Sequence, residues 1–496
     1  MTVTSSRLTG ANRYLRDNFA PVREELTATD LTVIGDLPGH LDGRYLRIGP
    51  NPIEDPGDQH HWFLGEGMVH GVRLRDGKAQ WYRNRYVRSA GVATALGEPV
   101  RGAPGGVDFA ANTNVLEHAG RTLALVEAGS PPYELTSDLD TVGPCDFGGT
   151  LPSAPGKPGY SAHPHRDPDS GELHAVSYSW MRGNRVTYSV LDSTGRIRRS
   201  VDVAVHGSPM IHDFALTERF AVILDLPVTF DIGMATADVP RLVRPVVRGL
   251  LNRIIGRNPV PEPVIAQVAR GSGGEAPSLP YRWNPDYPAR IGLLPRDGDG
   301  SEVRWFEIAP CYIFHTLNAY DDGDRVVVDV VRHPKMFATV LTGPNEGPTT
   351  MTRFTLDLTT GRARESSLDQ HAQEFPRHDE RFTGRAHRYG WAVGFEDGAT
   401  GDTVLRHDLV TGTTDRRSLG SGTEASEFCF APDPDGTTEG DGVVMGYVFD
   451  RAEGRSHLRV LDAATLDDVA SVHLPGRVPA GFHGNWAPQG TDPGDA

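Results

Sequence analysis

Leu356-Asp-Leu-Thr-Thr-Gly361 and His407-Asp-Leu-Val-Thr-Gly412 are two copies of one short phrase, and Leu191-Asp-Ser-Thr-Gly195 and Leu461-Asp-Ala-Ala-Thr465 are two more. The Asp and Thr side chains can bond to nearby backbone groups, and Gly supplies a positive φ, so each phrase reads as a hairpin tip. The flanking runs are short and rich in β-branched and aromatic residues, as in Arg219-Phe-Ala-Val-Ile-Leu-Asp and Arg325-Val-Val-Val-Asp-Val-Val. Such runs read as strands. The four Asp positions, 192, 357, 408 and 462, lie 165, 51 and 54 residues apart, and the first interval reads as three steps of about 55. A hairpin recurring near every fifty residues is the spacing of a β-propeller blade, four strands set radially about a channel.

Composition agrees with an all-β protein. Glycine (57) and proline (38) make up about a fifth of the 496 residues, too many for a helical bundle. The formal charge of −16 excludes a phosphate-binding surface as the main function, so no nucleic-acid partner is expected. Cys145, Cys311 and Cys429 show no CxxC spacing and read as reduced thiols of a cytoplasmic protein. No run is long and apolar enough to span a bilayer, and the N-terminus lacks the apolar core of a signal peptide. The expected organisation is an N-terminal arm (1–32), one propeller domain (33–490) with cap insertions including 228–275, and a flexible tail (491–496).

One segment departs from the strand pattern. In 238–257, Leu242, Val243, Val246, Val247, Leu250, Leu251, Ile254 and Ile255 recur every three to four residues with arginines between them. This reads as a basic amphipathic helix, whose apolar face either makes peripheral contact with an anionic membrane or packs on the propeller with its arginines solvated.

The unusual feature is a surplus of histidine, 19 residues. His163, His212, His315 and His483 sit at apolar or tight-turn positions, separated by 49, 103 and 168 residues, which read as one, two and three blades. Equivalent positions in different blades point to the same axis, so four imidazoles are expected to converge there. An all-imidazole set suits iron, copper, nickel or zinc. Each ring needs an acceptor on its second nitrogen, and Glu127, Glu374 and Glu427 are the available carboxylates. His165 is the main competitor for a ligand position, being two residues beyond His163, but Pro164 and the Asp-Pro after it read as the end of the strand.

Several motifs together resemble the carotenoid cleavage oxygenases. They are Gly43-Arg-Tyr-Leu-Arg-Ile-Gly-Pro-Asn-Pro, His61-Trp-Phe-Leu-Gly-Glu-Gly-Met-Val-His-Gly, Asn112-Thr-Asn-Val, the four histidine motifs, Glu374-Phe-Pro-Arg and Gly481-Phe-His-Gly-Asn-Trp. The resemblance spans about residues 30 to 490. It implies a seven-bladed propeller with a helical and loop cap over an axial Fe(II). The ligands it implies are His163, His212, His315 and His483, with Glu127, Glu374 and Glu427 behind His212, His315 and His483 in that order. Thr113 matches a threonine whose methyl faces an open coordination position. Phe63, Phe314, Tyr320, Phe375 and Trp486 are the expected walls of an apolar substrate tunnel.

The implied enzyme is a dioxygenase that uses O₂ to split a carbon–carbon double bond of a carotenoid or apocarotenoid into two carbonyl products. The alternative is the same cleavage on a stilbene or other phenylpropanoid. Two departures from the family pattern stand out: His165 where a lysine is common, and Leu64 where an aspartate is common. A third bears on substrate. Stilbene-cleaving relatives carry a phenol-binding lysine at the position of Val126, and a valine cannot make that hydrogen bond.

Overall fold

The computed structural model describes residues 12–58, 60–101, 111–152, 157–237, 239–261, 279–344, 346–395 and 400–489. Seven antiparallel sheets form the blades of a propeller. In order round the ring, the innermost strands are Gly484–Pro488, Asn114–His118, His165–Arg166, Ala215–Leu216, Tyr312–Asp322, Gln373–Arg377 and Cys429–Pro432. These define blades 1 to 7.

Both chain ends close the ring. The C-terminal strand Gly484–Pro488 pairs with Gly43–Pro50 as the inner edge of blade 1. The N-terminal strand Thr32–Gly35 pairs with Asp468–His473 as the outer edge of blade 7. Thr27–Ala28 lies on the outer edge of blade 1, and Tyr14 stacks on Trp62 with centroids 5.6 Å apart, so the described part of the 1–32 arm lies against the domain. Residues 1–11 and the 491–496 tail fall outside the described residues.

The recurring phrase does form the hairpin tip between third and fourth strands, in blades 3, 5, 6 and 7. Each Asp carboxylate accepts from amides two to four residues ahead, for example Thr359 and Thr360 on Asp357 at 2.8 Å. Gly195, Gly361 and Gly412 take φ of +79°, +72° and +69°. In blade 7 no glycine is present, and Leu466 adopts φ +62° instead. That conformation costs a branched residue roughly 1–2 kcal/mol, offset here because Leu466 is buried in the core beside Trp391 and Phe430.

The blade count read from spacing needs one correction. His212 and His315, 103 residues apart, lie in adjacent blades, not two blades apart; likewise Asp192 and Asp357 are separated by two blades, not three. The extra length is one insertion in blade 4. The chain leaves at Asp225 and returns at Arg290, and these two residues face each other across paired strands. Between them, Val228–Phe230 and Tyr281–Trp283 pair as a neck. The short helix Ile232–Ala235 and the longer helix Arg244–Ile254 follow the first neck strand. Asp238 and residues 262–278 lie outside the described residues.

The insertion helix starts where Pro245 is tolerated, at its first positions, because the missing amide would be unbonded there in any case. One face docks: Leu251, Ile254 and Ile255 pack with Met181, Val260, Trp180 and Phe230. The other does not. Leu242, Val246 and Leu250 are 94%, 75% and 51% exposed.

A candidate metal centre on the propeller axis

Each blade contributes one residue to the axis at or just before its innermost strand. Round the ring these are His483, Thr113, His163, His212, His315, Glu374 and Glu427. All seven are buried. Four imidazoles therefore meet at one point, with ring centroids 4.4 Å apart for His163–His212, 4.5 Å for His163–His483, 4.8 Å for His315–His483 and 5.0 Å for His212–His315. One nitrogen from each lies within 4.8 Å of the other three.

Carboxylates hold the far side of three rings. His315 Nδ1 is 2.6 Å from Glu374, His483 Nδ1 is 3.0 Å from Glu427, and His212 Nδ1 lies against Glu127. An ionised carboxylate only accepts, so each Nδ1 carries a proton and each Nε2 is left to face the axis. There His212 Nε2 and His315 Nε2 lie 3.2 Å apart. A cation held between the two nitrogens, or a proton shared along the line, is what that contact needs. His163 Nε2, buried with no hydrogen-bond partner, points to the same need. The donor set thus fits a divalent transition metal.

The carboxylates are themselves anchored. Tyr178 donates to Glu127 at 2.7 Å, His333 Nε2 meets Glu374 at 2.8 Å, and the Arg377 guanidinium lies 3.4 Å from Glu427. Gly484 N–H and Phe375 N–H add bonds to Glu427 and Glu374. Burial alone would raise both acids, but the facing histidines outweigh it. His315 and His333 hold Glu374 far below the usual carboxylate range, and His483 with Arg377 brings Glu427 down to about 2. Burial, followed by the other three imidazoles, pushes His163 well below its ordinary value and keeps it an unprotonated ligand. His315 runs the other way: burial lowers it, but Glu374 raises it further.

Tyr178, His333 and Arg377 were not singled out from the sequence. Arg377 lies within the quoted Glu374-Phe-Pro-Arg motif and carried a signal, whereas Tyr178 and His333 sit among strand residues with nothing to distinguish them. His165 does not join the imidazoles; its Nε2 is 2.9 Å from Asp213, whose other oxygen accepts from Thr316. Thr113 turns its hydroxyl to Asn112 Oδ1 at 3.0 Å and accepts from the His483 amide through its carbonyl.

Of the five expected tunnel walls, three gather at the centre. Phe314 lies 5.0 Å from His212, Phe375 lies 5.5 Å from His315, and Phe63 packs on Phe314 at 5.6 Å. Phe337 and Phe482 extend this aromatic wall through Phe63. Tyr320 and Trp486 do not belong to it. Tyr320 is five residues beyond His315, roughly 16 Å along an extended strand, and packs with His387 and Arg353. Trp486 is three residues beyond His483, so strand alternation turns it the other way; it packs in the core shared by blades 1 and 7. Phe375 takes φ +56°, a strained conformation for an aromatic residue. It lets the amide bond Glu374 while the ring covers His315.

Residues 19–488 match the family model described as retinal pigment epithelial membrane protein. A carotenoid cleavage oxygenase of Mycobacterium tuberculosis is 49% identical over 98% of this chain and 99% of its own length. A carotenoid 9,10(9',10')-cleavage dioxygenase of Crocus sativus is 30% identical over 95% and 88%. Among solved structures, lignostilbene dioxygenase of Pseudomonas brassicacearum superposes with a TM-score of 0.79 at 26% identity, covering 97% of this chain and 100% of that one. A Synechocystis apocarotenoid oxygenase variant gives 0.78 at 26% identity, covering 96% and 98%.

Proposed function

The chain belongs to the retinal pigment epithelial membrane protein family, the carotenoid cleavage oxygenases, and on that premise we propose that it is a non-haem Fe(II) dioxygenase cleaving a carbon–carbon double bond of a carotenoid or apocarotenoid. The observation that carries the reading is the convergence of four imidazole nitrogens beside an aromatic wall. His163, His212, His315 and His483 would hold the iron. When bound, Fe(II) supplies the one-electron chemistry that lets dioxygen react with an alkene.

The residues of the chain account for the rest. Glu127, Glu374 and Glu427 fix the tautomer and orientation of three rings. They carry three negative charges against the single charge of Arg377, a balance that a divalent ion restores. Phe63, Phe314 and Phe375 offer flat faces on which a conjugated polyene can stack, and they exclude water from the reacting bond. Thr113 accepts from the His483 amide through its carbonyl and has its hydroxyl engaged by Asn112, so its methyl would be the group to limit access beside the metal.

The alternative substrate, a stilbene, draws on the likeness to lignostilbene dioxygenase. Val126, buried next to Glu127, counts against it, because a phenol there would lose its hydrogen bond to water without replacement. The proposal extends to location. Three buried, free cysteines suit a reducing compartment, so the reading is of a cytoplasmic enzyme. The exposed apolar row Leu242, Val246 and Leu250, with Arg241, Arg253 and Arg257 exposed on the same segment, supports peripheral contact with an anionic membrane.

The test is to load the purified protein with iron and offer it carotenoids, β-apocarotenals and hydroxystilbenes in separate assays. Oxygen uptake and aldehyde product masses are then measured. Matched aldehyde pairs from a polyene are expected; turnover of the stilbenes alone would replace the substrate reading while keeping the metal one.

A further inference from the structure

A second histidine cluster lies away from the axis, on the outer part of blade 7. His457, in Arg455–Asp462, and His473, at the end of Asp468–His473, are directly opposite each other on paired strands. Their ring centroids are 4.1 Å apart and nearly perpendicular. Glu453, in the hairpin that leads into the first strand, brings Oε2 to 3.3 Å from His457 Nε2. Glu453, His457 and His473 each present one ligand atom within 4.8 Å of the others.

We propose that Glu453, His457 and His473 form a second metal site, for a divalent transition ion of the zinc class. Two imidazoles and one carboxylate suit Zn²⁺, Co²⁺, Ni²⁺ or Cu²⁺, whereas Mg²⁺ and Ca²⁺ require oxygen ligands. The cluster is not already satisfied from within. His457 is the buried member, and its Nδ1 has no hydrogen-bond partner. The nearby Asp450 is committed to the hairpin, where it accepts from the amides of Ala452 and Glu453. Arg459 is committed to Asp468.

Metal–ligand bonds of about 2.0–2.2 Å need the three atoms slightly closer than they stand. Glu453 is exposed in a hairpin tip and is free to supply that movement. Exposure of Glu453 also gives the ion a path in and leaves a position for water. Because His473 pairs with Thr32 on its other side, an ion here would tie together the strands that carry the N-terminal clasp of the ring.

The experiment titrates the iron-loaded protein with Zn²⁺ in a calorimeter, counts both metals afterwards, and follows the melting temperature. One further equivalent of zinc is expected, with iron retained and Tm raised. His473→Ala should abolish that equivalent and the rise in Tm while keeping iron content and oxygen uptake; Glu453→Gln should weaken zinc binding about tenfold. His473 is the primary target because the more buried His457 contributes to packing. Absence of the extra equivalent, its persistence in His473→Ala, or its appearance only as iron is released would each overturn the site.

Discussion

The axis of the propeller and the blade 4 insertion are built on opposite principles. On the axis, the rings of His212, His315 and His483 are backed by carboxylates, and each carboxylate has a further partner in Tyr178, His333 or Arg377. On the blade 4 insertion, Leu251, Ile254 and Ile255 are docked, and the adjoining row of Leu242, Val246 and Leu250 stays exposed. The contrast separates a region held by internal contacts from one that leaves apolar surface exposed. It also assigns substitutions to different readouts: chemistry for the first, association for the second.

The largest effect should come from the ligands. His212→Ala or His483→Ala should lose the metal and all oxygen uptake, measured by elemental analysis and an oxygen electrode. Full metal content in either variant would break the account of the axis. Next is the layer behind them. Glu374→Gln keeps the shape but removes the charge facing His315 and His333, so metal affinity should fall about 10–100-fold with an unchanged circular dichroism spectrum.

On the insertion, replacing Leu242, Val246 and Leu250 together by Ser should reduce sedimentation with anionic liposomes by an order of about tenfold or more, leaving Tm unchanged. A fall in Tm instead would mean that this face packs within the molecule. Leu251→Ser should do the reverse, lowering Tm through lost contacts with Met181 and its neighbours.

A separate effect is with acid. Burial lowers His174, His387 and His407, all in the propeller, to about 4, whereas in the unfolded chain they titrate near 6.5. Between those values the unfolded state binds more protons, so stability falls as pH falls. Denaturant midpoints should decline from pH 6.5 toward pH 4; a flat profile would show that these rings are not held neutral.

What could be read in the sequence follows from what repeats. The Asp–Thr–Gly tips and the four ligand histidines recur because the blades do, and a repeat is visible in one dimension. The insertion was legible as amphipathic but misled the count, because residues 226–289 are somewhat longer than one blade and spacing cannot distinguish the two. Tyr178 and His333 were hidden for a different reason. Their roles come from strands meeting across blades, and their local sequence is that of ordinary strand residues. Tyr320 and Trp486 lie elsewhere because nearness to a ligand in sequence ignores how far an extended strand travels and which way it turns its side chains.

The closure of the ring by Gly484–Pro488 has a consequence for how the protein is made. His483, the final ligand in chain order, directly precedes that strand, 168 residues after His315. The four-imidazole set is therefore complete only once the strand that closes the ring is in place, so closure of blade 1 and completion of the metal centre are one folding event.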